Sequence, residues 1–231
     1  MYELAQRGHT FTIVSPHKCS RPHKNYREIK GIDWDEVAEA KNPFEMRINN
    51  TGFDPSALTP LFEAVCDSYY QMPEVMGLLN EKFDLVFANF FWNECTYGIV
   101  HKTGAPFILF HPFGPPASTY SANGNPLPPS IMPVTFLGFG SNMGFKDRLL
   151  NSLAAVGFYA VDELTRIPAM ERLYKKYLGQ DLPSIHDIER NVSLIMSNSH
   201  FSIQFPRPAL PDFIEVAGMH CRAAQPLPKV C

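Results

Sequence analysis

Two apolar runs with a helix between them set the frame for the whole chain. Residues 83 to 91 (FDLVFANFF) are apolar almost without interruption, the pattern of a parallel strand covered on both faces. Asn93 stands where it caps the helix that follows, Gly104 ends that helix, and residues 106 to 111 (PFILFH) read as a second buried strand. A strand, a crossover helix and a second buried strand belong to an α/β fold with a doubly wound parallel sheet. In such sheets ligands bind beyond the carboxyl ends of the strands.

The alternation continues on both sides. MYELAQRGHTFTIVSP, residues 1 to 16, opens with a short amphipathic helix on Leu4 and Ala5, stops at Gly8, and enters a strand over Phe11, Ile13 and Val14 closed by Pro16. A helix leading into a strand normally packs on a strand already laid down, and none stands before this one in the sequence. A short strand is expected near residues 26 to 29. From 58 to 82 apolar residues recur at helical spacing, with Leu61, Phe62, Val65, Tyr69, Val75, Leu78 and Leu79 on one face and Pro73 dividing two helices. Helices are expected over 145 to 159 and 168 to 178, the second with Met170, Leu173, Tyr174 and Tyr177 along one side, and Ser184 with Asp187 resembles a capping box opening a third. Strands at 193 to 197 (SLIMS) and 213 to 216 (FIEV), joined by the proline-rich FPRPALPD, complete the pattern.

With 231 residues, 45 % of them apolar and 13 % aromatic, the chain has enough material for an ordinary buried core. A net charge of -3 and a pI near 6.2 give no electrostatic reason to expect nucleic acid. No apolar run approaches the roughly 18 to 20 residues that cross a bilayer, and the N-terminus lacks the zones of a signal peptide, so the chain as written is expected to be neither secreted nor anchored. The five cysteines (Cys19, Cys66, Cys95, Cys221 and Cys231) are scattered, odd in number and without a C-x-x-C pair, which indicates neither a zinc site nor a disulfide framework. Asn49-Asn50-Thr51 and Asn191-Val192-Ser193 match the N-glycosylation acceptor pattern, which carries weight only where exposure to a lumen has other support. The basic block over 17 to 30 and the acidic group Asp33, Asp35, Glu36 and Glu39 read as a solvated, self-compensating surface.

The strand ends hold the candidate site. The first carries Asn89, Phe90, Phe91, Trp92, Asn93 and Glu94; the second carries His111, Phe113 and Tyr120. Aromatics with a few polar groups suit a pocket for an apolar, hydroxyl-bearing molecule, and they equally suit a core cluster with a helix cap. Residues 112 to 133, rich in Pro, Gly, Ser and Asn, are too long for a simple connector, and their aromatics favour a binding loop. GFGSNMG, residues 138 to 144, has neither G-x-G-x-x-G nor P-loop spacing and reads as a flexible helix entry; no G-x-S-x-G elbow exists.

Several stretches together resemble one family: LAQRGHTFTIVSP, FDLVFANFFWNECTYGIVHKTGAPFI, SNMGFKDRLLN, and SLIMSNSHFSIQFPRPALPDFIEVAGMH with the trailing PLPK. In that order they resemble the N-terminal half of animal UDP-glycosyltransferases, most closely the arthropod type, over nearly the whole chain. The resemblance implies a Rossmann-like acceptor-binding domain over residues 1–225, the N-terminal domain of the GT-B fold, with 226–231 beginning a linker to a donor-binding domain. It implies hexosyl transfer with inversion from a UDP-sugar to a small lipophilic acceptor, no cofactor beyond that co-substrate, and an endoplasmic-reticulum membrane setting for the complete enzyme. In the family a histidine just after the first strand takes the acceptor's proton, and an aspartate at a later strand end orients it. The stretch bearing that histidine lies upstream of the LAQRGH helix, so it corresponds to nothing from Met1 onward, and His9 sits at the wrong end of the helix to replace it. Asn89 stands at the strand end of the aspartate; an amide hydrogen-bonds an imidazole without offsetting its charge, and Glu94 is the nearest carboxylate.

Two expectations follow from the resemblance. The chain alone is expected to be inactive, a partial copy of a transferase; the alternative is a non-catalytic short form that binds lipophilic ligands or pairs with full-length relatives as a homo- or hetero-oligomer. In the 3-2-1-4-5 strand order the first strand is central, so a sheet without it exposes two apolar edges.

Overall fold

The computed structural model describes residues 1–32, 58–90, 93–112, 122–125, 127–134, 137–140, 142–202 and 207–221. The chain is α/β and divides into two compact units. The first comprises Met1–Val86, Trp92–Ala105 and Ala160–Ile188; the second comprises Phe87–Phe91, Pro106–Tyr159 and Glu189–Cys231.

In the first unit a short helix, α1 (Tyr2–Gln6), ends before Gly8, whose φ of 99° is one that a side chain would resist. Strand β1 (Phe11–Ser15) then pairs in parallel with β2 (Tyr26–Lys30), in a register running from Phe11 opposite Tyr26 to Ser15 opposite Lys30. Ile13 and Ile29 are the buried residues of this pair. Helix α2 (Leu58–Tyr70) buries Phe62, Val65, Cys66 and Tyr70, and the chain breaks before α3 (Pro73–Gly77) with the proline in the helix's first turn, as its locked φ favours. Helix α4 (Tyr97–Thr103) closes on Gly104 at φ 67°, the left-handed cap expected there. Asn93 does not cap that helix with its side chain. A 3₁₀ turn over Glu94–Thr96 intervenes, and Asn93 contributes its backbone carbonyl, which accepts from the Thr96 amide at 3.0 Å and the Thr96 hydroxyl at 2.7 Å.

The cysteines depart from expectation. Cys66 of α2 and Cys95 of the 3₁₀ turn form a disulfide, with Cα atoms 6.1 Å apart and a sequence separation of 29. The bond was illegible as a spacing because it joins two elements distant in sequence; what marks each cysteine is its place on a buried face, at 2 % and 1 % exposure. The Tyr70 hydroxyl donates to the Cys95 carbonyl, and Met170 Sδ lies 3.7 Å from Cys66 Sγ.

In the second unit β3 (Val86–Asn89), β4 (Phe107–His111), β5 (Leu194–Ser197) and β6 (Phe213–Glu215) form a parallel sheet in that order. Ile108 lies opposite Leu194 and Ile195 opposite Phe213. β4 buries Phe107, Leu109 and His111, but β3 does not behave as a strand covered on both faces: Phe87 is 41 % exposed and only Ala88 within it is buried. The reason lies in the pairing. Among the described residues β3 pairs with β4 alone, and β1 with β2 alone, so the chain holds two sheets where an unbroken 3-2-1-4-5 order would have one.

Helix α5 (Phe145–Val161) runs on through a π-helical turn, Asp162–Arg166, into α6 (Ile167–Leu178), so the two expected helices are joined. α5 is inverted relative to an ordinary amphipathic helix. Its buried residue is Asn151, fully enclosed, which donates to the Pro129 and Met132 carbonyls at 2.6 and 2.8 Å and accepts from the Val134 amide at 2.8 Å. Its exposed residues include Phe145, Leu149, Leu153 and Val156, which fall on one stripe at helical spacing. α6 buries Met170 and Tyr174 as its periodicity predicts. It also packs on α4, where a Cβ added at Gly98 would lie 2.8 Å from Leu178 Cδ1 and 3.0 Å from Tyr174 Cβ. Helix α7 (Ile185–Arg190) opens with the expected cap: the Ser184 hydroxyl accepts from the Asp187 amide at 3.1 Å and donates to the Asp187 carboxylate at 2.7 Å. Among the described residues no helix is long and apolar enough to cross a membrane.

Candidate functional site

The parallel register of the second unit brings three polar residues to one row at the carboxyl ends of its strands. His111 ends β4, Ser197 lies opposite it at the end of β5, and Glu215 lies opposite Ser197 at the end of β6. Ser199 and Arg207 extend the row. The Ser199 hydroxyl donates to Glu215 Oε1 at 3.2 Å and accepts from Arg207 Nη2 at 3.0 Å, and it stands 2.9 Å from the Ser197 hydroxyl. Glu215 Oε2 accepts from the Phe201 amide at 3.0 Å, and Arg207 lies 3.8 Å from Glu215 Oε1. Ser197 and Ser199 are fully buried, and the arginine's cation is met by a carboxylate and a hydroxyl.

His111 is the group in this row with chemical capacity to spare. It is 2 % exposed, its ring stacks on Phe90 with centroids 4.1 Å apart, and its Nε2 has no hydrogen-bond partner among the described residues. Burial, helped by the charge of Arg207, lowers its pKa from 6.5 to about 3. The imidazole is therefore neutral near pH 7 and too weakly basic to be an effective proton acceptor, yet it keeps one ring nitrogen able to donate or accept a hydrogen bond. Asn89, at the end of β3, is exposed.

Glu94 belongs to the first unit and is engaged differently. Its carboxylate is 1 % exposed and sits 2.5 Å from Arg166 Nη1. Arg166, itself 6 % exposed at its side chain, also donates through Nε and Nη2 to the two carboxylate oxygens of Asp162 at 2.9 and 3.1 Å. Burial opposes the arginine's charge, but Glu94 and Asp162 outweigh it and hold its pKa above the ordinary value. A carboxylate held against a buried guanidinium neutralises that cation, and its own oxygens are poorly placed to exchange a proton with a substrate.

Phe91, Trp92, Phe113, Tyr120 and Asn49 lie outside the described residues, as does the segment 226–231. The structure thus brings Phe90 and His111 together and places Glu94 in a separate ion-pair cluster. Reading the sequence missed Ser197, Ser199, Arg207, Glu215, Asp162 and Arg166. The signal available for Arg207 was an arginine between prolines, the one cation in the connection FPRPALPD; Ser197 closes an apolar run where a parallel strand should end. At the carboxyl ends of β1 and β2 a cavity of about 80 Å³ is lined by Ser15, His17, Lys18, Glu28 and Lys30, too small for a drug-sized ligand.

Residues 4–231 match the family described as UDP-glucoronosyl and UDP-glucosyl transferase. The chain is 30 % identical to UDP-glucosyltransferase 2 of Dactylopius coccus, over 97 % of its own length and 44 % of that protein. It is 26 % identical to UDP-glucuronosyltransferase 2B7 of Rattus norvegicus, over 98 % of its length and 47 % of the relative. It is 27 % identical to UDP-glucuronosyltransferase 2B10 of Homo sapiens, again over 98 % and 47 %. The chain thus spans about half the length of the curated relatives it matches.

Proposed function

The chain belongs to the UDP-glycosyltransferase family, and from that premise we propose that its residues 1–225 form the acceptor-binding half of an inverting transferase, with 226–231 leading toward a donor-binding domain. The observation that carries the reading is the family match over residues 4–231, combined with coverage of less than half of each relative. In the reaction, an acceptor hydroxyl gives up its proton to a base and its oxygen attacks the anomeric carbon of a UDP-hexose, such as UDP-glucose; the bond to UDP breaks and UDP departs. The acceptor is a small lipophilic molecule, and the UDP-sugar is held mainly by the further domain. No other cofactor enters the reading, and the complete protein works at the endoplasmic-reticulum membrane, with detoxification its physiological setting.

Within this half, His111 and Phe90 hold the acceptor: the ring offers an apolar face and His111 Nε2 one hydrogen bond. Asn89 orients the base from the end of β3. Glu94, locked on Arg166, fixes the turn that leads into α4. The chain, which spans less than half of each relative, is expected to turn over no substrate by itself. UDP release is measured from the purified chain with UDP-glucose and a panel of lipophilic phenols. No acceptor-dependent release is expected, and release above the phenol-free rate overturns the inactivity.

A second reading, a non-catalytic short form pairing with full-length relatives, is favoured by the apolar stripe of α5, where Phe145 is 85 % and Leu153 61 % exposed. Sedimentation of the chain mixed with a full-length relative tests it. A mixed complex abolished by Leu149→Ser with Leu153→Ser supports pairing, and two independent species at all concentrations contradict it.

A further inference from the structure

We propose that Asn191 is an N-glycosylation site, carrying an oligosaccharide on its side-chain amide. The acceptor tripeptide Asn191-Val192-Ser193 is weak as a pattern, and two structural observations strengthen it. It occupies the turn between Arg190, the last residue of α7, and Leu194, the first of β5. Asn191 and Ser193 are exposed while Val192 between them is buried at 9 %. The backbone around them is pinned: the Val192 amide donates to the Glu189 carbonyl at 3.1 Å, and the Ser193 amide donates to the Phe107 carbonyl at 2.9 Å. A bulky sugar on Asn191 therefore displaces no core atom.

The second observation is the Cys66–Cys95 disulfide, in the other unit of the chain. Structural disulfides persist in oxidising compartments such as the lumen of the endoplasmic reticulum, the same side of the membrane on which asparagines receive oligosaccharide. The two features have separate chemistry and point to one compartment. In the transfer, the Asn191 amide nitrogen attacks the anomeric carbon of a lipid pyrophosphate-linked oligosaccharide. The nitrogen–carbon bond forms, the carbon–oxygen bond to pyrophosphate breaks, the lipid pyrophosphate leaves, and the amide proton passes to a carboxylate of the transferring enzyme. No residue of the acceptor site takes part, so a bare Asn191 would leave the transferase reading untouched.

The test is peptide mapping of the protein isolated from the cells that make it. One non-reducing digest locates disulfides; another is treated with peptide N-glycosidase in ¹⁸O-water, which converts a glycosylated asparagine to labelled aspartate. Labelled aspartate at 191, together with linked Cys66 and Cys95 peptides, is expected. Unlabelled Asn191 overturns the proposal whether the cysteines are linked or free, and so does label confined to position 49. Ser193→Ala, which leaves Asn191 in place and removes the required hydroxyl, is expected to abolish the label, whereas Ser193→Thr preserves it. Label that survives Ser193→Ala would likewise overturn the assignment.

Discussion

Replacing Glu94 by glutamine keeps the side chain's shape and removes the charge that Arg166 faces at 2.5 Å. The surroundings set the magnitude. Glu94 is 1 % exposed and Arg166 6 %, so water cannot solvate the abandoned guanidinium, and the remaining carboxylate, Asp162, is itself 29 % exposed and less effective as a counter-charge. Breaking a buried pair from one side costs about 3 to 5 kcal/mol, and the retained Asp162 contact places Glu94→Gln near the lower end, about 3 kcal/mol. Removing both charges together, as Glu94→Leu with Arg166→Met, is expected to cost less than Glu94→Gln, because no buried cation is left and Asp162, 29 % exposed, is solvated by water in place of the guanidinium. The assay is urea unfolding followed by far-ultraviolet circular dichroism, with the slopes compared so that a shifted midpoint reports stability alone. If Glu94→Gln unfolds within about 0.5 kcal/mol of the parent, or the double replacement is as damaging as the sum of the single ones, the ion pair is not what holds the turn. The same series bears on chemistry: a carboxylate that served the reaction would, on replacement, change acceptor binding and spare stability.

Three further outcomes are expected. Cys66→Ala with Cys95→Ala, or reduction of the parent, is expected to lower stability by about 3.5 kcal/mol, the loop-closure value for the 29-position separation, read as a fall in thermal midpoint; an unchanged midpoint contradicts a formed disulfide. His111 has a folded pKa near 3 against an ordinary 6.5, so between those values the unfolded chain binds the extra proton: its contribution is complete above about pH 6.5 and declines by about 1.4 kcal/mol per pH unit as pH falls toward 3. His111→Gln is expected to flatten that dependence by one proton's worth, and equal slopes for the two proteins would show the imidazole is not held neutral. Gly98→Ala forces a methyl to within 2.8 Å of Leu178 and 3.0 Å of Tyr174 Cβ, so a loss of about 1 to 3 kcal/mol is expected in the same unfolding assay, and no loss means that α4 and α6 do not meet there.

The alternation of elements was legible because each rests on local chemistry: Gly104 ends α4 in the left-handed region, Ser184 caps α7, and Pro73 starts α3. The limits of β3 were less so. FDLVFANFF reads as a strand with two buried faces, but burial depends on neighbours, and β3 has β4 as its one partner among the described residues. His111 was recoverable as a strand end, since a parallel strand in this fold class directs its last residues toward ligand. Its neutrality was not, because it comes from burial and from the charge of Arg207, 96 positions later in the sequence and held to the row by its bond to Ser199. Glu94 shows the opposite case. Its position beside the strand end suggested catalysis, and its partner Arg166 lies in a π turn that no periodicity announces. The disulfide likewise joins helical segments whose separation in sequence carries no motif.

The central claim, that this chain is the acceptor-binding half of a UDP-sugar transferase, is tested most directly by equilibrium dialysis of the purified chain against a labelled lipophilic phenol and, separately, against labelled UDP-glucose. Saturable phenol binding that is weakened at least tenfold by His111→Ala, with no retention of UDP-glucose, is the predicted result. Retention of UDP-glucose in the absence of phenol, or phenol uptake that neither saturates nor responds to His111→Ala, would contradict it.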